Sequence, residues 1–151
     1  MSASEAERTL VIVKPDGTAR RLVGEIISRF EAAGFTLVAL RLTAFTEELA
    51  RQFYAEHEGK EFFEPLIAYM TSGPVALLGL EREQAIERAR QLCGKTNPLD
   101  AAPGTIRADY GLDRRRNTVH ASDSPTSANR ELALVLPEAL ESHAPQPGVS
   151  V

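Results

Sequence analysis

The sequence predicts an α+β sandwich in which helices cover a small antiparallel sheet of four strands. Two features lead to that class. Short runs of aliphatic and β-branched residues, bounded by turn residues, occur at 9–13, 35–42 and 75–78. Between them lie stretches whose apolar residues recur at helical spacing, and no repeat or low-complexity linker interrupts the alternation.

The first run, Thr9 to Val13, is apolar at almost every position, as a strand buried in the centre of a sheet must be. Lys14-Pro15-Asp16-Gly17 then reads as a turn, with proline fixing φ and glycine accepting a positive φ. Leu22, Ile26 and Phe30, flanked by Val23 and Ile27, form one helix face, and Gly34 stands where a helix stops. A second strand follows over 35–42. Thr46 caps a helix with Glu47 and Glu48 in its first turn, running through Tyr54. A short helix spans 63–70, Gly73-Pro74 punctuates it, and residues 75–78 form a third strand. A helix over 83–93 closes at Gly94, and 95–104, with Pro98, Pro103 and Gly104, is loop. Residues 118–120 form the last strand; Ser124 and Pro125 open the last helix as N-cap and first helical residue. Helices on one side of a βαββαβ sheet, the ferredoxin-like order, satisfy this succession.

A length of 151 residues suits one domain, expected over 1–142, with 143–151 a mobile tail. Such a domain buries roughly 70% of its unfolded surface and needs no disulfide or structural metal. The single cysteine, Cys93, permits no intramolecular disulfide and fits a reducing, cytoplasmic setting. The N-terminus lacks the basic start of a signal peptide, and no apolar run approaches the ~20 residues of a membrane span, so no membrane role is expected. A net charge of −4 argues against nucleic acid as the main partner. Yet Arg107, Arg114, Arg115 and Arg116 fall within ten positions. They read either as a solvated loop or as a basin for a small, highly charged anion.

Residues 89–96, Ala-Arg-Gln-Leu-Cys-Gly-Lys-Thr, almost spell a phosphate-cradling loop, but alanine replaces its first glycine. The context is also inverted: Gly94 ends a helix, whereas that loop opens one. Phosphate chemistry here must rest on side chains. Of three histidines, His57 and His143 read as surface residues. His120 lies between a short strand and a capped helix start, without a second His or Cys at ligand spacing. Taken alone it reads as a structural residue or as a catalyst. Ser122 and Asp123 make no hydrolase triad, since the nucleophile-elbow motif is missing.

Asn117-Thr-Val-His120-Ala-Ser122-Asp123-Ser124 resembles the signature octapeptide of the nucleoside diphosphate kinase family. Lys14-Pro15-Asp16-Gly17, Ser72-Gly73-Pro74-Val75, Thr96-Asn97-Pro98 and Pro103-Gly104-Thr105-Ile106-Arg107 resemble its other blocks, in its order, from about residue 8 to 135. The resemblance implies ping-pong transfer of a γ-phosphoryl group from a nucleoside triphosphate to a nucleoside diphosphate through a phosphohistidine at His120. It implies that Arg90, Thr96 and Arg107 hold the phosphates and that Lys14 and Asn117 contact the sugar. It further implies that Phe62 stacks on the base beside Leu66, and that Tyr54, Ser122 and Glu131 orient the histidine and phosphate. Mg²⁺ carried by the substrate and a homo-oligomer, tetramer or hexamer, are implied as well. Without the resemblance, Phe62 reads equally as core, Arg90 as helix surface and Glu131 as solvated. A non-catalytic nucleotide-binding module would be expected to lack the histidine. A single-stranded RNA module would want exposed sheet aromatics and a basic balance.

Overall fold

The computed structural model describes residues 6–141. Strands β1 (Ala6–Val13), β2 (Thr36–Thr43), β3 (Val75–Glu83) and β4 (Val119–Ala121) form one antiparallel sheet in the order β2-β3-β1-β4. The helices are α1 (Pro15–Ala19), α2 (Val23–Ala32), α3 (Glu47–Phe53), α4 (Phe63–Met70) and α5 (Ala85–Cys93), then α6 (Ile106–Tyr110), α7 (Pro125–Val135) and α8 (Glu138–Glu141). The order is βαββαβ with short additions, the predicted α+β, ferredoxin-like class.

The helices lie on both faces of the sheet rather than one. Val11, Val13, Ala76, Leu78 and Leu80 pack against Ile26 and Phe30 of α2 and Ala85 and Ala89 of α5. Leu10, Ile12, Val75 and Leu77 pack oppositely against Phe53 of α3, Ile67 and Met70 of α4, and Leu132 of α7. The reason is visible in β1, where both sets of alternate side chains are apolar and each needs a cover. On the second face Gly79 lets α8 close in, since a Cβ there would stand 2.7 Å from that of Ala139.

Other boundaries differ for local reasons. Lys14 to Gly17 begins helix α1, with Pro15 in its first turn, rather than forming a free turn. Gly17 is required for space: its Cβ would lie 2.7 Å from Val13 Cγ1, while its φ is not among the positive ones. Strand β3 runs five residues past Leu78, its charged end paired through Arg8 and Glu81 at 2.9 Å. Helix α5 therefore starts only at Ala85, after Gln84 turns the chain at φ +54°. Within the expected loop, Pro98–Asp100 forms a 3-10 turn. The expected tail at 143–151 lies outside the described residues.

Candidate functional site

Strand β4 pairs with β1 so that His120 stands opposite Ile12. Alternation sends Val119 and Ala121 into the core under α5 and His120 to the other face. There its ring meets the edge of Phe53 at 5.1 Å and of Tyr54 at 6.2 Å between centroids. Burial pushes the Tyr54 phenol well above its ordinary value, with the Glu131 charge adding to it, so Tyr54 stays neutral.

Helix α7, capped by the Ser124 side chain on Ser127 N–H, carries Glu131 back beneath β4. Glu131 Oε1 lies 2.9 Å from His120 Nε2 and accepts the Ser122 hydroxyl at 2.7 Å. A carboxylate facing a ring nitrogen favours the N–H on that nitrogen, which leaves the lone pair of the neutral ring on Nδ1. Nδ1 has no hydrogen-bond partner among the described residues. Ser122 is completely buried and stands behind Glu131 rather than on the cleft wall.

Lys14 follows directly on β1 and is almost fully buried. Its Nζ donates to Asn117 Oδ1 and to the Arg115 carbonyl, both at 2.8 Å. The Asn117 amide in turn donates to the carbonyls of Thr96, at 2.9 Å, and Arg114, at 3.0 Å. Next to it Thr118 adopts φ +76°, a left-handed conformation costly for a β-branched residue. It is held there by Lys14 N–H on its carbonyl at 2.8 Å and by its own hydroxyl on Asp16, which also accepts the Tyr69 phenol.

Burial, then the neighbouring Arg107 charge, lowers the Lys14 pKa from 10.5 to about 8, with Asp16 opposing. The free protein therefore carries this charge below about pH 8 and loses it above. An anion entering the cleft would then meet one cation fewer. For an anionic substrate, kcat/KM, which reports the free protein, is expected to fall as pH rises through about 8. A Lys14→Arg variant, charged throughout, is expected to lack that limb; an unchanged limb would place the titration elsewhere.

Arg107 projects from α6, its Nη1 on the Gly94 carbonyl at 2.7 Å and its Nη2 on the Val119 carbonyl at 2.8 Å. Each terminal nitrogen keeps one N–H for another acceptor. Gly94, at φ +86°, closes α5 rather than opening a helix, as the sequence argument against a phosphate-cradling loop required. The Phe62 ring is 44% exposed, enough to offer a face to a planar ligand, with Leu66 half-buried nearby.

One cleft of about 660 Å³ brings together Lys14, Tyr54, Phe62, Leu66, Arg90, Thr96, Arg107, Asn117, His120 and Glu131. Of the predicted residues only Ser122 is off its wall. His57, read as a surface residue, is partly exposed and also lines the cleft, tilted against Phe62 at 5.2 Å. Its polar surroundings in sequence gave no sign of this. Phe53, beneath the histidine, and Asp123 were also missed as wall residues, though Asp123 was quoted within the octapeptide. The arginine run divides: Arg114 and Arg115 line the cleft, and Arg116 pairs with Asp113 at 2.7 Å. Cys93 is buried and its thiol pushed up to about 11, so it takes no part.

A ferredoxin-like sheet bringing a carboxylate-bound histidine to a cation-lined cleft defines a nucleotide-handling phosphotransferase. Residues 7–140 match the family model described as nucleoside diphosphate kinase. A nucleoside diphosphate kinase of Pelotomaculum thermopropionicum is 55% identical over 128 residues, 85% of this chain and 86% of that one. One from Mycobacterium avium is 56% identical over 134 residues, 88% of this chain and 98% of that one. Among solved structures, the Halobacterium salinarum nucleoside diphosphate kinase in complex with CDP superposes with a TM-score of 0.90 at 43% identity, covering 95% of each chain. The Aquifex aeolicus nucleoside diphosphate kinase superposes with a TM-score of 0.86 at 44% identity, over 87% of this chain and 96% of that one. The chain belongs to the nucleoside diphosphate kinase family. Its reaction is the transfer of a phosphoryl group between nucleotides, and the family works with a divalent cation. Among the described residues no helix is long and apolar enough to cross a membrane.

Proposed function

We propose that His120 is the nucleophile of a reversible ping-pong exchange, attacking through Nδ1. The observation that carries this is the Nε2–Glu131 contact of 2.9 Å, which commits one ring nitrogen and leaves the other without a partner among the described residues. Nδ1 forms a bond to the γ-phosphorus of a nucleoside triphosphate as the bond to the bridging oxygen breaks, and the diphosphate departs. The ring then carries both substituents and a positive charge, which Glu131 offsets; Ser122 holds that carboxylate in place. A different diphosphate attacks the phosphohistidine in the second half-reaction. The bond made and the bond broken are similar in kind, so both directions run. Such transfers depend mainly on positioning and charge neutralisation.

Arg107, Arg90 and Thr96 hold the phosphates, Lys14 and Asn117 the sugar, and Phe62 and Leu66 the base. The guanidinium fork matches phosphate oxygens in pairs. Among the described residues no three His, Cys, Asp or Glu side chains cluster as a metal cage. A wall with five Lys and Arg side chains suits the phosphates themselves, so a divalent ion would arrive bound to them, and Asp123 is a wall carboxylate that would be available to hold it. Mg²⁺ is the ion proposed, and when bound it shields the phosphate charge. A homo-oligomer, tetramer or hexamer, is supported by the outer strand β2, where Leu40 is 51% and Leu42 67% exposed. The single buried thiol supports a cytoplasmic setting.

The test is initial-rate exchange across several donor and acceptor pairs. Ping-pong chemistry is expected to give parallel double-reciprocal lines. Lines that intersect would mean both nucleotides bind before transfer, and the phosphohistidine reading would fall.

A further inference from the structure

Thr118 stands where the chain passes from Asn117, the sugar contact of the proposed function, to the strand that carries His120. With φ +76° and the Val119 N–H on the Asn117 carbonyl at 2.9 Å, it is the centre of a γ-turn of the rare, strained kind. Such a backbone persists only where its surroundings over-determine it. Lys14 N–H holds the Thr118 carbonyl at 2.8 Å, and α1 packs so closely that a Cβ on Gly17 would lie 3.2 Å from Thr118 Cγ2. Because β4 is paired to β1, a loosened turn would release Asn117, with the Lys14 ammonium bonded to it, rather than His120.

A third hold reaches the turn from a distant helix. Asp16, buried on α1, accepts the Thr118 hydroxyl on Oδ2 at 3.3 Å. Its Oδ1 accepts the Tyr69 phenol, and its own N–H donates to the Tyr69 oxygen at 2.9 Å. Burial, then the bond to Asp16, pushes the phenol well above its ordinary value, so it stays a donor. Tyr69 belongs to α4, the helix that follows Phe62 and carries Leu66 one turn earlier. Both ends of this chain of bonds therefore line the cleft: Phe62 and Leu66 at one, Asn117 and His120 at the other. In-line transfer depends on that spacing, because base and sugar contacts place the γ-phosphorus while β4 places Nδ1.

We propose that Tyr69 is a positioning residue, which through Asp16 clamps the γ-turn at Thr118 and so sets the bound nucleotide at attack distance from His120. This rests on the reading of His120 as the nucleophile. The ring itself is oriented separately, by Glu131, Phe53 and Tyr54.

Tyr69→Phe removes the phenol oxygen and keeps the ring near the Lys14 ammonium, whose Nζ lies 5.7 Å from its centroid. A single turnover at saturating labelled ATP reads transfer to His120 apart from affinity. Phosphoramidate, which delivers a phosphoryl group and releases ammonia, reads the same ring with no base or sugar to align. The variant is expected to accept phosphoryl from ATP about tenfold more slowly, within the range of a small misplacement, and from phosphoramidate at the unaltered rate. Thr118→Gly adopts a positive φ without strain, so Tyr69→Phe added in that background is expected to cost less than about threefold. An unchanged ATP rate in Tyr69→Phe overturns the proposal. Equal slowing with both donors would mean general loosening, and the same tenfold cost in the glycine background would mean the phenol does not act through the turn; either also overturns it. An unaltered protein that takes phosphoryl from neither donor would strike the His120 reading, and this one with it.

Discussion

A His120→Ala variant incubated with γ-labelled ATP is expected to retain no label, while the unaltered protein retains label that is lost in acid and kept in base, as a phosphoramidate is. Exchange between nucleotides is expected to fall by on the order of 10⁴-fold or more, the scale seen when a covalent catalyst loses its nucleophile. The variant should fold. His120 sits on β4, whose pairing with β1 uses backbone groups, and alanine is tolerated on a short outer strand. Glu131 keeps the Ser122 hydroxyl as a partner, so the buried carboxylate is not orphaned. A thermal melt of the variant checks that point separately. Label retained at an equal level would place the phosphoryl group on another residue and end the role assigned to His120.

The legible parts of this molecule were those that a short segment fixes by itself. The unbroken apolar run at Thr9 to Val13 identified the central strand, and Ser124-Pro125 identified a helix start to the residue. What depended on distant segments was hidden. No local pattern tells that Glu131, eleven positions on, folds back from α7 to the ring of His120; only the resemblance singled it out. The same run in β1 held the signal for covers on both faces, since it does not alternate, but its continuity reads more readily as burial than as a count of layers. The end of β3 was missed because Arg82 and Glu83 are polar, and their strand conformation comes from pairing with Glu7 and Ala6. The place of His57 on the cleft was hidden for a related reason: a 3-10 turn, Ala55–His57, brings it against Phe62, and nothing in its polar surroundings specifies that turn.

Arg107→Ala is expected to lower kcat/KM by more than a hundredfold, on the order of 3 kcal/mol of transition-state stabilisation, the scale of one preorganised donor at a reacting centre. The guanidinium is prepared for this: both terminal nitrogens are fixed on the carbonyls of Gly94 and Val119, so the remaining N–H groups need little reorganisation when charge develops. The same bonds make Arg107 structural, because alanine leaves two carbonyls without their donor at about 1–3 kcal/mol each where buried. Stability and turnover therefore have to be separated. Thermal melts locate a temperature at which the variant is fully folded, and the rates are compared there. Arg107→Lys sharpens the comparison, since an ammonium keeps the charge but does not span both carbonyls and the phosphates as a planar fork does. It is expected to recover part of the lost rate and little of the lost stability. A folded alanine variant whose turnover falls less than twofold would show that Arg107 only braces the wall, leaving the phosphates to Arg90 and Thr96.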